Sequence, residues 1–553
     1  MVVVNAFLNP RQWTRSDRNL WISRVAVVLF FMAYILIGLA LYGDYGMSLD
    51  EPFSRANGLV NFRHIATIFA PSWLTEATAH YPDLSSWTDK DYGVAFEVPA
   101  VAIEQFLGLR DSRDIYQFRH LLTFLSSSLG ALATFGIARN RFGRNWTGLA
   151  AAAMFILSPR LFAESFYNSK DMVFLSAFAV AAYTMIRFAQ GPGWVWAILH
   201  GTSTAIAIDV RLMALLIPLC TIEYLALQVT VKRVTAQQAA WAGILYLLFT
   251  GLMVIALFPH LWENPIANFI GAVGNMARFR WTGTVLYLGT LLDATNLPWH
   301  YVPVWMVITT PPVYLFFFLV GVWIMAYRLC AKGIRRAWGD LETQDFIVLQ
   351  LIVVPILAII ILKSVLYDGW RQMYFVYVPF VLIAIHGLAG LAGQPGSPIW
   401  RRLPAFALLG FAFCANVNWM WHAHPLQNVY FNFLAGKDWK SRFDLDYWGL
   451  GNRMAFEYIL AHDTRTGITI IPASYNPLDR TLLILDPENR GRISIGNPDQ
   501  RPLYVIDNYR LAIGSSDEKY GKDYNVFYNT TIDGERILTV YRLKDVSSVT
   551  PAK

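Results

Sequence analysis

Charge is scarce in this chain, and cysteine in paired spacing is missing. Asp, Glu, Lys and Arg make up 15% of the 553 residues, hydrophobic residues 55%, and Cys220, Cys330 and Cys414 fall in apolar runs without disulfide or zinc spacing. There is no Gly-rich Walker loop, no dinucleotide fingerprint, no His-Glu-x-x-His and no nucleophile elbow. Nothing here binds a nucleotide in a recognisable way. Internal repeats are also absent, which argues against a transporter built from inverted halves.

What is present is hydrocarbon in membrane-length blocks. Mean hydropathy is +0.38, and several apolar runs approach the ~20 residues that cross a bilayer. About eleven spans are expected, from Trp21–Tyr42 and Ile115–Ala138 through Trp146–Ser158, Met172–Phe188, Trp194–Ile208, Leu212–Val231, Ala240–Phe258, Val302–Tyr327, Phe346–Leu362 and Tyr374–Leu391 to Leu403–Trp421. Arg11, Arg15, Arg18 and Arg24 lead into the first run, which is expected to stay as an anchor because no cleavage pattern follows. Basic residues then recur in alternate loops: Arg139, Arg141 and Arg144, Arg187, Lys232 and Arg233, Arg328, Lys332, Arg335 and Arg336, then Arg401 and Arg402. These loops mark the cytoplasm, so the net charge of +7 sets orientation and does not imply nucleic acid. The N-terminus is predicted inside and the C-terminus outside. The acidic segment 43–114 is then an external loop.

After residue 421 the pattern shortens to strand length, in Ile468–Ile471, Leu482–Leu485, Ile493–Ile495 and Leu503–Ile506, with a helix expected over Asn452–Ala461 and a hairpin turn at Asp533-Gly534. The reading is a membrane domain over 1–421 and a small soluble α/β domain over 422–553.

Three polar constellations face the outer side. Asp50 and Glu51 stand together after the first span, and an acidic pair at a membrane surface is costly unless it has a task. Pro52 and the spacing of Phe53, Ala56, Leu59, Val60 and Ile65 predict an amphipathic interfacial helix that would fix the pair, with Asp50 alternatively a simple cap. Ser158 to Met172 interrupts the apolar pattern with Arg160, Glu164, Asn168, Lys170 and Asp171, where Lys170 suits a phosphate, or else an ion pair with Asp171. Lys363 to Met373 forms a tight turn in which Arg371 offers a forked set of donors and Tyr367 or Trp370 a stacking face, while Asp368-Gly369 supplies turn chemistry. Arg211 belongs to the same basic lining or pairs with Asp209. His260, Glu263 and His300 lack metal-site spacing and suit sugar-binding or structural roles better.

An acidic pair in the first external loop, an interfacial helix after it, Lys170-Asp171 at a broken helix entry, Phe258-Pro-His-Leu-Trp262 with Pro298-Trp-His-Tyr301, and the long set of spans together resemble the GT-C glycosyltransferases. Within them the chain is similar to the protein O-mannosyltransferase and aminoarabinose-transferase group. The resemblance implies a polyprenyl-phosphate sugar donor such as an undecaprenyl-phosphate sugar, inversion at the anomeric carbon, and Asp50 and Glu51 as catalytic residues, Asp50 being the base. It also implies Lys170, Arg371 and Arg211 as donor-phosphate ligands, with Tyr367, Asp368, His300 and Asn168 around the substrate. Some relatives use a divalent metal (Mg, Mn or Zn), for which Asp50, Glu51 and His260 are the candidates. The segment 259–301 is too short for the large lumenal insert of eukaryotic protein mannosyltransferases, so a cell-envelope lipid or glycan acceptor on the periplasmic face of a bacterial inner membrane is expected. A Ser/Thr-directed protein mannosyltransferase and a flippase of lipid-linked sugars are the alternatives.

Overall fold

Apolar runs that cannot expose peptide groups to hydrocarbon must close their hydrogen bonds internally, and they do so as helices. The computed structural model describes residues 15–277, 281–332, 340–393, 398–496, 501–511 and 516–545. Arg11, Arg335 and Arg336 lie outside the described residues. Among those described, eight helices are long and apolar enough to cross a membrane, the first being Leu20–Leu41 and the last Ile399–Ala423. This is a multi-pass membrane protein.

Eleven full spans are not reached, and local chemistry explains the three exceptions. Trp146–Ser158 becomes two helices, Asn145–Ile156 and Pro159–Tyr167, bent by 72°. Pro159 has no N–H and pushes Ser158 out of the helical region, leaving carbonyls to be satisfied from elsewhere. Asn416 Nδ2 donates to the Leu157 carbonyl at 2.9 Å, and Ser158 Oγ to that of Met154 at 2.7 Å. Taken as one broken span, the pair makes nine. Val302–Tyr327 likewise divides at Pro311-Pro312 into Tyr301–Thr309 and Pro312–Lys332. Asn432 Nδ2 closes that break by donating to the carbonyls of Val307 (2.6 Å) and Thr310 (2.7 Å). The third, Trp194–Val210, has 17 residues.

The helix Ser112–Phe142 starts where the Asp111 carboxylate accepts from Arg113 N at 2.9 Å and ends at Gly143 in the left-handed region. It packs on Asp171–Gln190, while Pro312–Lys332 crosses Tyr377–Ala392 with backbones in contact. A Cβ on Gly321 would run into the Ile383 carbonyl, and one on Gly387 into that of Phe317. At one end of the bundle, Arg141 Nη2 meets Asp345 Oδ2 at 2.7 Å and Asn140 meets Gln190 at 3.2 Å, so the basic loop after Phe142 lies beside the starts and ends of two other spans.

At the opposite end the loop after the first span folds into Glu51–Phe69 and Glu97–Phe106. Beyond the last span, residues 424–450 thread through that end, burying Phe431, Trp439, Phe443, Tyr447 and Trp448 in the same core as the helices. The α/β unit follows. Its strands are β3 (Ile468–Pro472), β4 (Ile493–Ile495), β5 (Tyr504–Asp507), β6 (Tyr524–Ile532) and β7 (Glu535–Leu543), after a hairpin of β1 (Thr284–Tyr287) and β2 (Thr290–Asp293). The sheet order is β4-β3-β5-β7-β6, parallel through β4, β3 and β5 and antiparallel through β7 and β6. Asp533 and Gly534, both with positive φ, make the β6–β7 turn. Leu482–Leu485 is not a strand. Leu482–Ile484 is a 3-10 turn whose Ile484 docks on Met47 and Tyr116 of the membrane domain.

Candidate functional site

Three helix starts converge at the end of the bundle that carries the loop after the first span. Asp50 precedes Glu51–Phe69, Asp171 opens Asp171–Gln190, and Arg371 opens the turn Arg371–Val376 that continues into Tyr377–Ala392. Unpaired N–H groups and the dipole make each start mildly positive. The loop bearing Asp50 is held by Arg453 Nη1, which donates to the carbonyls of Gly43 (2.6 Å) and Tyr45 (2.9 Å), and by Tyr45 Oη donating to Gln427 Oε1 at 3.2 Å.

Arg371 is the centre of the arrangement. Its Nη1 donates to Asp50 Oδ2 and to Asp171 Oδ2, each at 3.0 Å, and its Nη2 to Asp368 Oδ2 at 3.2 Å. The guanidinium carbon lies 4.4 Å from the Trp448 ring centroid and 4.8 Å from that of Tyr367. The second oxygen of Asp171 accepts from Arg211 Nη2. Asn168 Nδ2 donates to Glu164 (2.7 Å) and to Asp171 Oδ2 (3.1 Å), so Asn168 acts here as a brace for two acids. Lys170 Nζ lies 5.0 Å from the Tyr92 ring centroid and makes no ion pair among the described residues. Neither local alternative holds: Asp171 pairs with two arginines instead of Lys170, and Arg211 with Asp171 instead of Asp209, whose Oδ1 is taken by Ala95 N at 2.6 Å.

Asp50 is half-buried, its side chain 26% exposed. Burial alone would raise its carboxyl, but Arg371, with Lys170 and Arg211 behind it, outweighs that and holds it below the usual carboxylate range. Among the described residues, the buried donors Arg371 Nε, Arg211 Nε and Trp448 Nε1 have no acceptor. Each unsatisfied donor costs about 1–3 kcal/mol, more for charged groups, which an anionic ligand would offset.

Asp50 and Glu51, expected together as the catalytic pair, do not face one point. Consecutive residues at a helix start point ~100° apart, and Glu51 turns inward, where Oε2 accepts from Ser48 N at 2.7 Å and Oε1 lies 2.9 Å from His120 Nε2. His300 is not drawn into the cluster either. It pairs with Tyr287 Oη at 2.6 Å beside the β1–β2 hairpin. His260 lies 3.8 Å from Asp91, and among the described residues no three His, Cys, Asp or Glu side chains gather as metal ligands. Asp50, Glu51 and His260 therefore do not fit the metal site entertained for them, since Asp50 has cations for neighbours.

Sequence reasoning left Trp448, Arg510 and the double role of Asp171 unassigned. Trp448 had a visible signal in the aromatic run Asp446-Tyr-Trp-Gly449. Arg510 had none.

Residues 113–262 match the family model described as dolichyl-phosphate-mannose-protein mannosyltransferase. Over that stretch the chain is similar to this family. The matched stretch carries Asn168, Lys170, Asp171 and Arg211, one wall of the cluster. Similar solved structures include ArnT from Cupriavidus metallidurans bound to undecaprenyl phosphate (11% identity, TM-score 0.47, 93% of this chain and 98% of that one). The same enzyme in the apo state is also similar (12%, 0.46, 94% and 98%), as is the mycobacterial arabinofuranosyltransferase AftD, mutant R1389S (11%, 0.45, 94% and 41%). No curated protein matches the chain.

Proposed function

We propose that the chain is a glycosyltransferase of a bacterial inner membrane that moves a sugar from a polyprenyl-phosphate donor, such as an undecaprenyl-phosphate sugar, to a lipid or glycan of the cell envelope on the periplasmic face. One observation carries this reading. Asp50 shares Arg371 with Asp171, while Arg371 Nε, Arg211 Nε and Trp448 Nε1 are buried donors lacking acceptors among the described residues.

The chemistry needs a base on one side of the anomeric carbon and positive charge on the other. Asp50 takes the proton of the acceptor hydroxyl as its oxygen attacks, and the bond from the anomeric carbon to the phosphate oxygen breaks with inversion. The departing polyprenyl phosphate is a weak base and needs no proton, so Arg371, Arg211 and Lys170 meet its charge. Phosphate binding competes with Asp50 for Arg371. A donor that takes Arg371 frees Asp50 and raises its basicity when the base is needed. Glu51, braced by Ser48 and His120, positions the loop and stays out of the reaction.

The test is incubation of the purified full chain with radiolabelled polyprenyl-phosphate sugars and fractionated envelope material. Label passing into lipid or glycan supports the proposal, label on Ser or Thr of proteins replaces the acceptor, and no transfer from any such donor overturns it.

A further inference from the structure

One side chain of the C-terminal α/β unit reaches the cluster around Arg371. Arg510 follows β5, is 4% exposed, and donates from Nη2 to Asp368 Oδ1 at 2.7 Å. The other oxygen of that carboxylate accepts from Arg371 Nη2 at 3.2 Å. Asp368 thus stands between two guanidiniums, one from each half of the protein. Arg510 Nη1 also donates to the Tyr447 carbonyl at 2.9 Å, pinning the residue before Trp448, whose ring covers Arg371.

The backbone on both sides of this contact is strained. Asp368 has φ 56°, and Tyr509 and Leu511, which flank Arg510, have φ 58° and 53°. L-residues with a Cβ avoid this region, and such conformations persist where the surrounding structure over-determines them. Asn508 helps to do so by donating from Nδ2 to the Asp446 carbonyl at 3.0 Å.

The charges explain what the contact is for. Asp50, Asp171 and Asp368 all bond to Arg371, and Arg211 adds a second cation through Asp171. Three carboxylates against two guanidiniums would repel a phosphate. Arg510 makes the numbers even, and Lys170 then leaves one positive charge in excess.

We propose that Arg510 is a positioning residue for the donor phosphate: by engaging one oxygen of Asp368, it stops that carboxylate from neutralising Arg371 and fixes the Arg371 fork. This rests on the reading that Arg371 binds the phosphate. The α/β unit is then part of the donor site and not only a cap over it.

The test is a double-mutant cycle on the full chain in detergent, titrated with undecaprenyl phosphate and, separately, with uncharged undecaprenol. Arg510→Gln is expected to weaken undecaprenyl phosphate binding about tenfold, leave undecaprenol binding unchanged, and have under about a twofold effect once Arg371→Gln is present. Equal losses in both backgrounds, equal losses for both lipids, or no loss would overturn the proposal. If Arg510→Gln does not accumulate as folded protein, Asp368→Asn, which removes the carboxylate that Arg510 holds off Arg371, is expected to leave undecaprenyl phosphate binding unweakened, and a tenfold loss there would overturn the proposal. Wild-type affinity in Arg371→Gln alone removes the phosphate role of Arg371, and Arg510's with it. A loss there with none in Arg510→Gln removes only the positioning role.

Discussion

Asp50 and Asp171 share one nitrogen: Arg371 Nη1 donates to an oxygen of each at 3.0 Å. Asp171 has a second cation in Arg211, whereas Asp50 has none at ion-pair distance among the described residues. An anion arriving at Arg371 displaces Asp50 more readily than Asp171. Asp50→Asn is therefore expected to lower transfer by a factor of ~10²–10⁴, the usual worth of a general base, without weakening donor binding. Turnover and lipid-phosphate affinity measured on one preparation check both halves. Wild-type turnover would remove Asp50 from the mechanism.

Lys170 lies over Tyr92 and is free of carboxylate partners among the described residues, so its ammonium is available to a phosphate. Lys170→Ala is expected to weaken undecaprenyl phosphate binding about tenfold while leaving the thermal midpoint nearly unchanged, because no ion pair is broken. A titration in low and high salt reads this directly. Unchanged affinity would return Lys170 to a structural role.

Glu51 predicts the reverse pattern. Its carboxylate is 3% exposed, accepts from Ser48 N and lies 2.9 Å from His120 Nε2. Glu51→Gln keeps an acceptor for Ser48 but loses the charge beside His120, so the thermal midpoint should fall while residual transfer stays well above that of Asp50→Asn. Equal loss of turnover in the two variants would restore Glu51 as a catalytic partner.

The sequence made Asp50, Lys170 and Arg371 visible for one reason: charge and apolar surroundings rarely coexist, so each stood out in its segment. Their mutual contacts were not legible. Arg211 has Asp209 two residues away, yet Asp209 is occupied by Ala95, 114 residues distant, and Arg211 pairs with Asp171. Local spacing cannot report such a competitor. Strands β3, β4 and β5 were readable because their apolar runs are buried in a parallel sheet. Leu482–Leu485 has the same composition but follows Pro477 and packs against Met47 and Tyr116, so tertiary contact decided its form. The count of spans failed where proline split the apolar runs at Pro159 and at Pro311-Pro312, since hydropathy does not register a missing N–H.

Asp444 gives a prediction in pH. Its Oδ2 accepts from Leu286 N at 3.0 Å, and burial pushes its carboxyl up to about 7, a rise that Arg510 and the Leu286 and Leu511 backbone N–H groups oppose and Asp368 reinforces. In an unfolded chain the same group titrates near ~3.9. Below that value both states are protonated and Asp444 carries no penalty. As pH rises from about 4 to about 7, the unfolded chain loses its proton first, so the folded state loses stability relative to it, and the loss levels off above about 7. Asp444→Asn keeps the acceptor for Leu286 and removes the titration. The thermal midpoint of the variant should match the wild type near pH 4 and exceed it increasingly up to about pH 7, a gap that unfolding of the full chain in detergent across that range would measure. A constant gap, or one that shrinks as pH rises, would mean that Asp444 is ionised in the folded protein and paired through Arg510.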